Sequence, residues 1–222
     1  MTDELIFAAY PVYKSDPAIL EDIDREVATK EVVALFDEWS DRVTVRGAYS
    51  VQGFRADADL MLWWVARGAD DVQDFAIALR RTQLGRALTQ TEMFLGLVRP
   101  AEFAADHLPA FAQGKDPKKF ICVYPFVRTP DWYLLEPSVR GQLLRVHGEA
   151  GREYPDVLAN TTSAFGLGDY EWILCFEADS PDRIVELIRR LRATEARRYT
   201  KVEIPFVSGI RKPVSEVIAD LF

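Results

Sequence analysis

One histidine lies where a helix would turn it inward. The segment 140–154, RGQLLRVHGEAGREY, contains His147, and the chain has only two histidines. Leu143, Ala150 and Tyr154 recur around it at helical spacing, which places His147 on the apolar side of a predicted helix. Two interpretations stay open from spacing alone: a core histidine satisfied by one hydrogen bond, or a ligand.

The glycines beside this histidine favour a broad, flat ligand. Gly148 and Gly151 leave part of the helix without side chains, although glycine costs ~1 kcal/mol relative to alanine within a helix. A porphyrin would fit such a surface, and histidine is a usual axial ligand of its iron. A zinc site has little support, because no second ligand follows at close helical spacing. Phosphate-loop and nucleophile-elbow motifs are absent from the sequence.

A second group of candidate residues lies in the segment 124–133, YPFVRTPDWY. On a strand the side chains of Tyr124, Phe126 and Arg128 share one face, because strand side chains alternate. The indole of Trp132 follows closely. The alternative is an edge strand with aromatic core contacts and a solvated arginine.

Composition and charge exclude several classes of protein. The 222 residues include 27 Lys and Arg against 35 Asp and Glu, a net charge of -8 that disfavours nucleic acid. The start, MTDELIFAAYPVYK, lacks a signal-peptide pattern, and no apolar run reaches the ~20 residues of a membrane span, so we expect a cytoplasmic protein.

Cys122 and Cys175 lie in strand-like runs without CxxC spacing and are predicted to be buried free thiols.

The chain repeats itself. Residues 57–86 can be laid on 169–198 without a gap by adding 112 to each number. The paired residues are then identical at Asp57/Asp169, Ala66/Ala178, Asp70/Asp182, Leu79/Leu191, Arg80/Arg192, Thr82/Thr194 and Arg86/Arg198. Nearer the N-terminus, Tyr10-Pro11 matches Tyr124-Pro125 with a shift of 114. The sequence therefore predicts two related halves.

Each half has the pattern strand, helix, two strands, helix, strand. The predicted elements are 4–13, 17–42, 43–52, 57–66, 69–84 and 91–98, then 119–127, 137–153, 158–165, 169–177, 181–197 and 199–207. This order is that of an α+β ferredoxin-like unit, and two such units could join their sheets into a barrel. We expect halves at 1–98 and 119–222, joined by a polar segment at 99–118 that contains His107.

Several motifs in this sequence resemble the chlorite dismutase-like family and, within it, the actinobacterial type of coproheme decarboxylase. They are RPAEFAADHLPAF at 99–111, YPFVR at 124–128, WYLLEP at 132–137, HGEAGREYPDV at 147–157 and GDYEW at 168–172. The resemblance implies tandem ferredoxin-like repeats forming a dimeric α+β barrel, a homopentamer, and haem bound in the C-terminal half.

The resemblance also implies a role for individual residues. His147 matches the proximal iron ligand, and Tyr124 matches a tyrosine that becomes the oxidising radical. Arg128 matches a residue that holds a propionate, a role suited to a planar, permanently charged fork. His107 matches a distal base that deprotonates hydrogen peroxide, although a surface-loop histidine is the alternative.

Two tryptophans are expected beside the bound group. Trp172 matches a tryptophan near the haem pocket, for which core packing is an equally good account, and Trp132 of the WYLLEP motif is expected to contribute to cofactor binding. A gapless count from the proximal histidine places Asn160 where chlorite dismutases carry a distal arginine, and 153–182 contains no arginine at all. This departure argues against chlorite breakdown.

The implied reaction is the peroxide-dependent oxidative decarboxylation of iron coproporphyrin III (coproheme). Two propionates become vinyl groups and give haem b, the last step of coproporphyrin-dependent haem biosynthesis. Coproheme is then both substrate and redox cofactor, and the resemblance implies a transient contact with coproporphyrin ferrochelatase. The alternatives are a haem-dependent peroxidase or chlorite dismutase, and a non-catalytic haem carrier or sensor.

Overall fold

The computed structural model describes residues 5–99 and 108–222. The described residues form two compact units. The first comprises the residues up to Leu97 together with Val207–Phe222, and the second comprises Val98–Phe206. Within the described part of the chain, no helix combines the length and apolar character needed to cross a membrane.

The elements of both units follow one another as the repeat predicts. The strands, in chain order, are β1 (Phe7–Ser15), β2 (Val43–Ser50), β3 (Leu60–Ala66), β4 (Leu88–Leu97), β5 (Phe120–Arg128), β6 (Leu158–Ser163), β7 (Trp172–Ala178), β8 (Thr200–Val202) and β9 (Val207–Lys212). The helices are α1 (Pro17–Leu20), α2 (Arg25–Glu38), α3 (Ala69–Arg81), α4 (Gln83–Arg86), α5 (Pro130–Leu134), α6 (Pro137–Arg152), α7 (Pro181–Arg192) and α8 (Val214–Ala219). Short 3₁₀ turns occur at Ala110–Gln113 and Glu195–Tyr199.

The two units contain the same sheet. Strand order is β4-β1-β3-β2 in the first unit and β8-β5-β7-β6 in the second, and the neighbouring strands are antiparallel. Both orders are those of a ferredoxin-like unit, with the first strand between the third and the fourth. The predicted α+β class is therefore confirmed, while the joining of the two sheets into a barrel stays a prediction.

Each sheet buries one face beneath its own helices. In the first unit Trp64 of β3 meets Phe75 of α3 edge-on, with ring centroids 4.9 Å apart. In the second unit Phe176 of β7 and Ile184 and Leu187 of α7 occupy the corresponding core. Fully burying side chains of this size contributes about 1.5–3 kcal/mol each, so the helix-facing sides account for much of the fold's stability.

Strand register corrects the alignment of the two halves by one residue. Phe7 lies opposite Ala66, and Phe120 lies opposite Ala178, so the first strands are related by 113 and not by 114. The tyrosines of the two YP pairs consequently lie on opposite sides of their sheets. Tyr124 points toward the helices of its unit, and Tyr10 points away from the helices of its own.

The C-terminal segment departs from the prediction. Residues 207–222 were expected in the second half, but β9 pairs with β2 of the first unit, where Ala48 lies opposite Lys212. Val217 and Ile218 of α8 complete the apolar core of that unit. The strand predicted at 199–207 is present but shorter, because β8 spans only Thr200–Val202. The residues after it include Pro205, which has no N–H for a sheet ladder.

Two other predicted elements need smaller corrections. The helix expected at 17–42 is divided into α1 and α2, because the Asp24 side chain caps a new helix by accepting from the Val27 N–H at 3.0 Å. The helix expected at 181–197 ends at Arg192. Cys122 and Cys175 are buried free thiols, as predicted.

A buried carboxylate fastens β1 to the start of β3. Asp59 accepts hydrogen bonds from the Ser15 backbone N–H at 2.9 Å, the Ser15 hydroxyl at 2.8 Å and the Lys14 ammonium at 2.9 Å. Burial disfavours the charged carboxylate, but the hydrogen bonds from Lys14 and Ser15 outweigh it and lower the pKa of Asp59.

Replacing this carboxylate should weaken the first unit measurably. We expect Asp59→Asn to lower the free energy of unfolding by about 1.5–3 kcal/mol, the usual worth of hydrogen bonds to a charged group. The loss should be constant above the unfolded pKa of ~3.9 and shrink as pH falls through the lower folded pKa. Urea unfolding at several pH values measures it. Asp57→Asn, at an exposed pair with Arg55, is the matched control and should have a much smaller effect; equal losses would contradict the account.

Candidate active site

The predicted helix around His147 exists with nearly the expected bounds. It is α6, which begins with Pro137 at its first turn and carries a half-buried His147 three turns later. Burial and, to a smaller extent, the positive charge of Arg128 together lower the pKa of His147 to about 4, and the negative charge of Glu203 opposes both. The imidazole is therefore neutral at neutral pH, as a metal ligand must be.

The inward side of α6 is less covered than its counterpart in the first unit. Helix α2 places Ala28 and Val32 fully inside its core, with Leu35 and Phe36 packed against them. In α6 only Ala150 is fully buried, although its sequence is more strongly amphipathic than that of α2. An apolar helix side left partly open beside a neutral imidazole is suited to a ligand.

The glycines of α6 contribute to this open surface. A methyl group added at Gly148 would meet nothing within 4 Å, and one added at Gly151 would make only ordinary contact with Leu191, at 3.8 Å. Packing within the protein therefore does not require glycine at either position. Clearance for a bound group explains both glycines better than internal crowding does.

Tyr124 lies on β5 with its side chain on the helix-facing side of the sheet. It is 4% exposed, and Phe206 stacks on its ring with centroids 4.4 Å apart and planes 25° apart. Burial raises the pKa of Tyr124 far above its usual range, and the charges of Cys122 and Glu203 raise it further. The phenol therefore keeps its proton throughout the neutral range.

Arg128 ends the same strand, and its guanidinium is firmly held. It lies 4.6 Å from the ring centroid of Phe126 and 4.0 Å from that of Trp132, and it donates a hydrogen bond to the Ala196 carbonyl at 2.9 Å. β5 pairs with β7 on one side and β8 on the other. The alternative of an edge strand with a solvated arginine is therefore wrong.

The two candidate tryptophans differ in their surroundings. Trp132 is 4% exposed and packs between Arg128 and Tyr199, whose ring centroid is 5.6 Å from its own. This contact supports the arginine. Trp172 is half-buried at the start of β7, with Phe165 edge-on at 5.3 Å. A direct contact of either indole with a cofactor stays a prediction.

Electrostatics links these side chains into one site. The Glu203 carboxylate acts on both His147 and Tyr124, while Arg128 acts on His147. Glu203 itself accepts hydrogen bonds from Arg192 at 3.0 Å and from Arg197. No motif or periodicity in the sequence marks Glu203 as a residue of the site.

His107 lies outside the described residues, and no group of three metal-binding side chains occurs within them.

Asn160 faces away from the helices of its unit. Its amide oxygen accepts from the Phe111 N–H at 2.8 Å, and its amide nitrogen donates to Glu177 at 3.1 Å. That Asn160 takes the place of a distal arginine stays a prediction. The helix-facing residues of β6, none of which is a cation, are Ala159, Thr161 and Ser163.

The family of this chain follows from its sequence as well as its fold. The family model described as chlorite dismutase matches residues 25–212, which is most of the chain. The chain belongs to the chlorite dismutase family.

Two relatives have a more specific name. A coproheme decarboxylase of Mycolicibacterium smegmatis is 48% identical over 200 residues, covering 89% of this chain and 87% of the relative. A coproheme decarboxylase of Thermus thermophilus is 27% identical over 202 residues, covering 83% of this chain and 80% of the relative.

Solved structures agree in fold. A chlorite dismutase variant from Candidatus Nitrospira defluvii has a TM-score of 0.89 at 24% identity and covers 99% of this chain and 96% of that one. The imidazole complex of the chlorite dismutase from the same organism has a TM-score of 0.86 at 24% identity, covering 97% and 94%. This likeness shows the chlorite dismutase fold.

The raised pKa of Tyr124 can be tested by absorbance. An ordinary phenol with a pKa of ~10 would be roughly three-quarters ionised at about pH 10.5. We expect the phenolate absorbance that develops between neutral pH and this value to be the same in wild-type protein and Tyr124→Phe, because burial keeps this phenol protonated. Near-ultraviolet circular dichroism confirms that the fold persists. A phenolate signal smaller in the variant by about three-quarters of that of one ionised tyrosine would contradict the environment described.

Proposed function

We propose that this protein is a coproheme decarboxylase, which converts iron coproporphyrin III to haem b with hydrogen peroxide as oxidant. The observation that carries the proposal is the arrangement of one neutral imidazole, His147, and one buried neutral phenol, Tyr124, on the helix-facing side of a single sheet. The names of the two relatives support the same substrate.

The residues of the site fit an iron porphyrin. His147 would supply the axial nitrogen, and the open surface at Gly148 would leave room for a flat ring system. Arg128, held between two rings, would bind a propionate through its planar fork of donors. Trp172 and Trp132 would line or support this end of the site.

The overall reaction balances with one peroxide for each propionate. A propionate and a proton react with hydrogen peroxide to give a vinyl group, carbon dioxide and two waters, so the side chain loses two electrons and peroxide gains them. When bound, the iron porphyrin supplies the oxidising equivalents that peroxide delivers. Two such turnovers convert coproheme to haem b.

Tyr124 would carry the first of the two electrons. Because the buried phenol is neutral, it would give up an electron and a proton together, and the resulting phenoxyl would take a hydrogen atom from the β-carbon of the propionate. The O–H bond would be restored, and the carbon radical would lose a second electron as carbon dioxide leaves and the vinyl group forms. Both electrons, the phenolic proton and one further proton would reduce peroxide to two waters. His107, as the distal base, would deprotonate peroxide.

Two alternatives have less support. A chlorite dismutase needs a cation to hold its anionic oxidant, but the helix-facing positions of β6 are occupied by Ala159, Thr161 and Ser163. A haem carrier or sensor would need His147 but has no use for a buried phenol on the same side. A haem-dependent peroxidase would turn over peroxide without loss of carbon dioxide, which the experiment below distinguishes.

The cellular setting completes the proposal. The protein would act in the cytoplasm as a homo-oligomer, a homopentamer by its resemblance to the family. A transient contact with coproporphyrin ferrochelatase would deliver the poorly soluble substrate.

The decarboxylation itself is tested by mass spectrometry. Purified protein is mixed with iron coproporphyrin III, peroxide is titrated, and the porphyrin should lose two carboxyl groups in succession. Tyr124→Phe should retain the Soret band of the complex and lose decarboxylation by at least roughly 10³-fold, since an aryl C–H cannot replace the phenolic O–H.

The possible outcomes separate the alternatives. Intact binding without any loss of mass in the wild-type protein would favour a carrier. Oxidation of an added phenol without decarboxylation would favour a peroxidase. Normal products from Tyr124→Phe would remove the radical assignment but leave the substrate in place.

The open surface at Gly148 gives an independent prediction. Gly148→Ala should raise the free energy of unfolding of the unloaded protein by up to ~1 kcal/mol, because alanine is the better helix former and meets no neighbour. The same change should weaken binding of iron coproporphyrin III, measured by Soret titration. Glu149→Ala, at the neighbouring exposed position, is the control and should bind normally. Unchanged affinity in Gly148→Ala would mean that this glycine does not provide clearance.

A further inference from the structure

We propose that Thr194 is a positioning residue that fixes the tautomer of His147, so that Nε2 carries the lone pair available to iron. The role of His147 as the ligand rests on the proposed function. The hydrogen bond between His147 and Thr194 belongs to the unloaded protein and can be tested without any porphyrin.

The geometry around the Thr194 hydroxyl leaves one assignment of protons. Its Oγ1 lies 2.8 Å from the Leu191 carbonyl oxygen and 3.2 Å from Nδ1 of His147. A carbonyl oxygen can only accept, so the single hydroxyl proton is donated to Leu191. The imidazole must then donate its Nδ1–H to Oγ1. A neutral imidazole has only one N–H, so above the ordinary histidine pKa of ~6.5 this leaves Nε2 without a proton.

The first unit provides an internal comparison, because it contains the same turn without a histidine. Thr82, which matches Thr194, donates its hydroxyl proton to the Leu79 carbonyl at 2.7 Å. Its Oγ1 accepts from the Gly85 backbone N–H at 2.9 Å, which caps α4. At the matching turn of the second unit, Thr194 makes no such cap with its side chain.

The two units show which hydrogen bond of the threonine belongs to the turn and which belongs to the proposed site. The hydroxyl-to-carbonyl hydrogen bond is common to both units and closes the turn after α3 or α7. The acceptor side of the hydroxyl differs, since it serves the backbone in the first unit and the imidazole in the second. Thr194 is 6% exposed, so water competes little for this acceptor.

A hydrogen bond to the second ring nitrogen of a metal-binding histidine affects how tightly the metal is bound. A partner on the second ring nitrogen fixes ring orientation and tautomer and raises the basicity of the ligand, and its loss typically costs about 10- to 100-fold in affinity or activity. We therefore expect Thr194 to hold the His147 ring ready for coordination before the ligand arrives.

The first test uses the unloaded protein. With ¹⁵N-labelled histidine, long-range ¹H–¹⁵N correlation should show a protonated Nδ1 and an unprotonated Nε2 for His147, and His107→Ala identifies its signals. Thr194→Val should shift the ring toward the Nε2–H form, whereas Thr194→Ser should retain the wild-type pattern. Thr82→Val, which loses the matching hydroxyl in the first unit, is the control and should leave the pattern unchanged.

The second test adds iron coproporphyrin III to the same variants. Thr194→Val should raise the Kd about 10-fold or more and shift the iron–histidine stretching band of the ferrous complex, while Thr194→Ser should stay near wild type. Thermal unfolding shows whether each variant is folded, and the serine variant keeps the test valid if valine disturbs the turn.

The outcomes distinguish this proposal from the proposed function. An Nε2–H tautomer in wild-type protein, or no response to Thr194→Val, would overturn the role of Thr194. A changed tautomer with an unchanged Kd and stretching band would also overturn it, because the contact would not act on iron. If His147→Ala binds the porphyrin normally while the unloaded tautomer still responds, the hydrogen bond stands and the proposed ligand fails.

Discussion

The structure of the second unit depends on the way α6 covers its sheet. A sheet face rich in apolar side chains must be covered, and in the first unit α2 fills that space with its own side chains. In the second unit α6 buries only Ala150 fully and presents His147 and two glycines beside a partly open surface. Incomplete packing costs stability, so its presence beside Tyr124 and Arg128 indicates that a ligand completes this core.

The duplication explains how such a site can arise without a new fold. Both units keep the same strand order and the same threonine turn after their second long helix. The differences lie in α2 and α6 and in the threonine contacts. Helix α2 fills the core of the first unit, whereas α6 leaves room in the second. The threonine hydroxyl caps a backbone N–H in the first unit and lies 3.2 Å from an imidazole nitrogen in the second.

Much of the fold could be predicted from the sequence, because it depends on local patterns. Periodicity and proline placement gave the bounds of α6, and the gapless repeat predicted matching β3/β7 strands. The C-terminal segment could not be placed, because the pairing of β9 with β2 is a long-range choice that leaves no local signal. The one-residue error in matching β1 with β5 arose from aligning identical YP letters, whereas strand pairing decides which way a side chain points.

The site was predictable to a smaller degree. The inward direction of His147 follows from helical spacing, and the family resemblance drew attention to Tyr124 and Arg128. The sequence did not reveal that Trp132 would support Arg128, since that contact requires α5 to fold back on β5. Nor did it reveal the shared influence of Glu203, which comes from an irregular segment after β8.

The central claim is that the open side of α6, around His147 and Gly148, binds iron coproporphyrin with His147 as the ligand of its iron. The most direct measurement is a crystal structure of the protein with this porphyrin bound. The account predicts that Nε2 of His147 is bonded to the iron and that a propionate lies beside the Tyr124 phenol. Iron bound through any other protein atom, or a porphyrin remote from Tyr124, would contradict it.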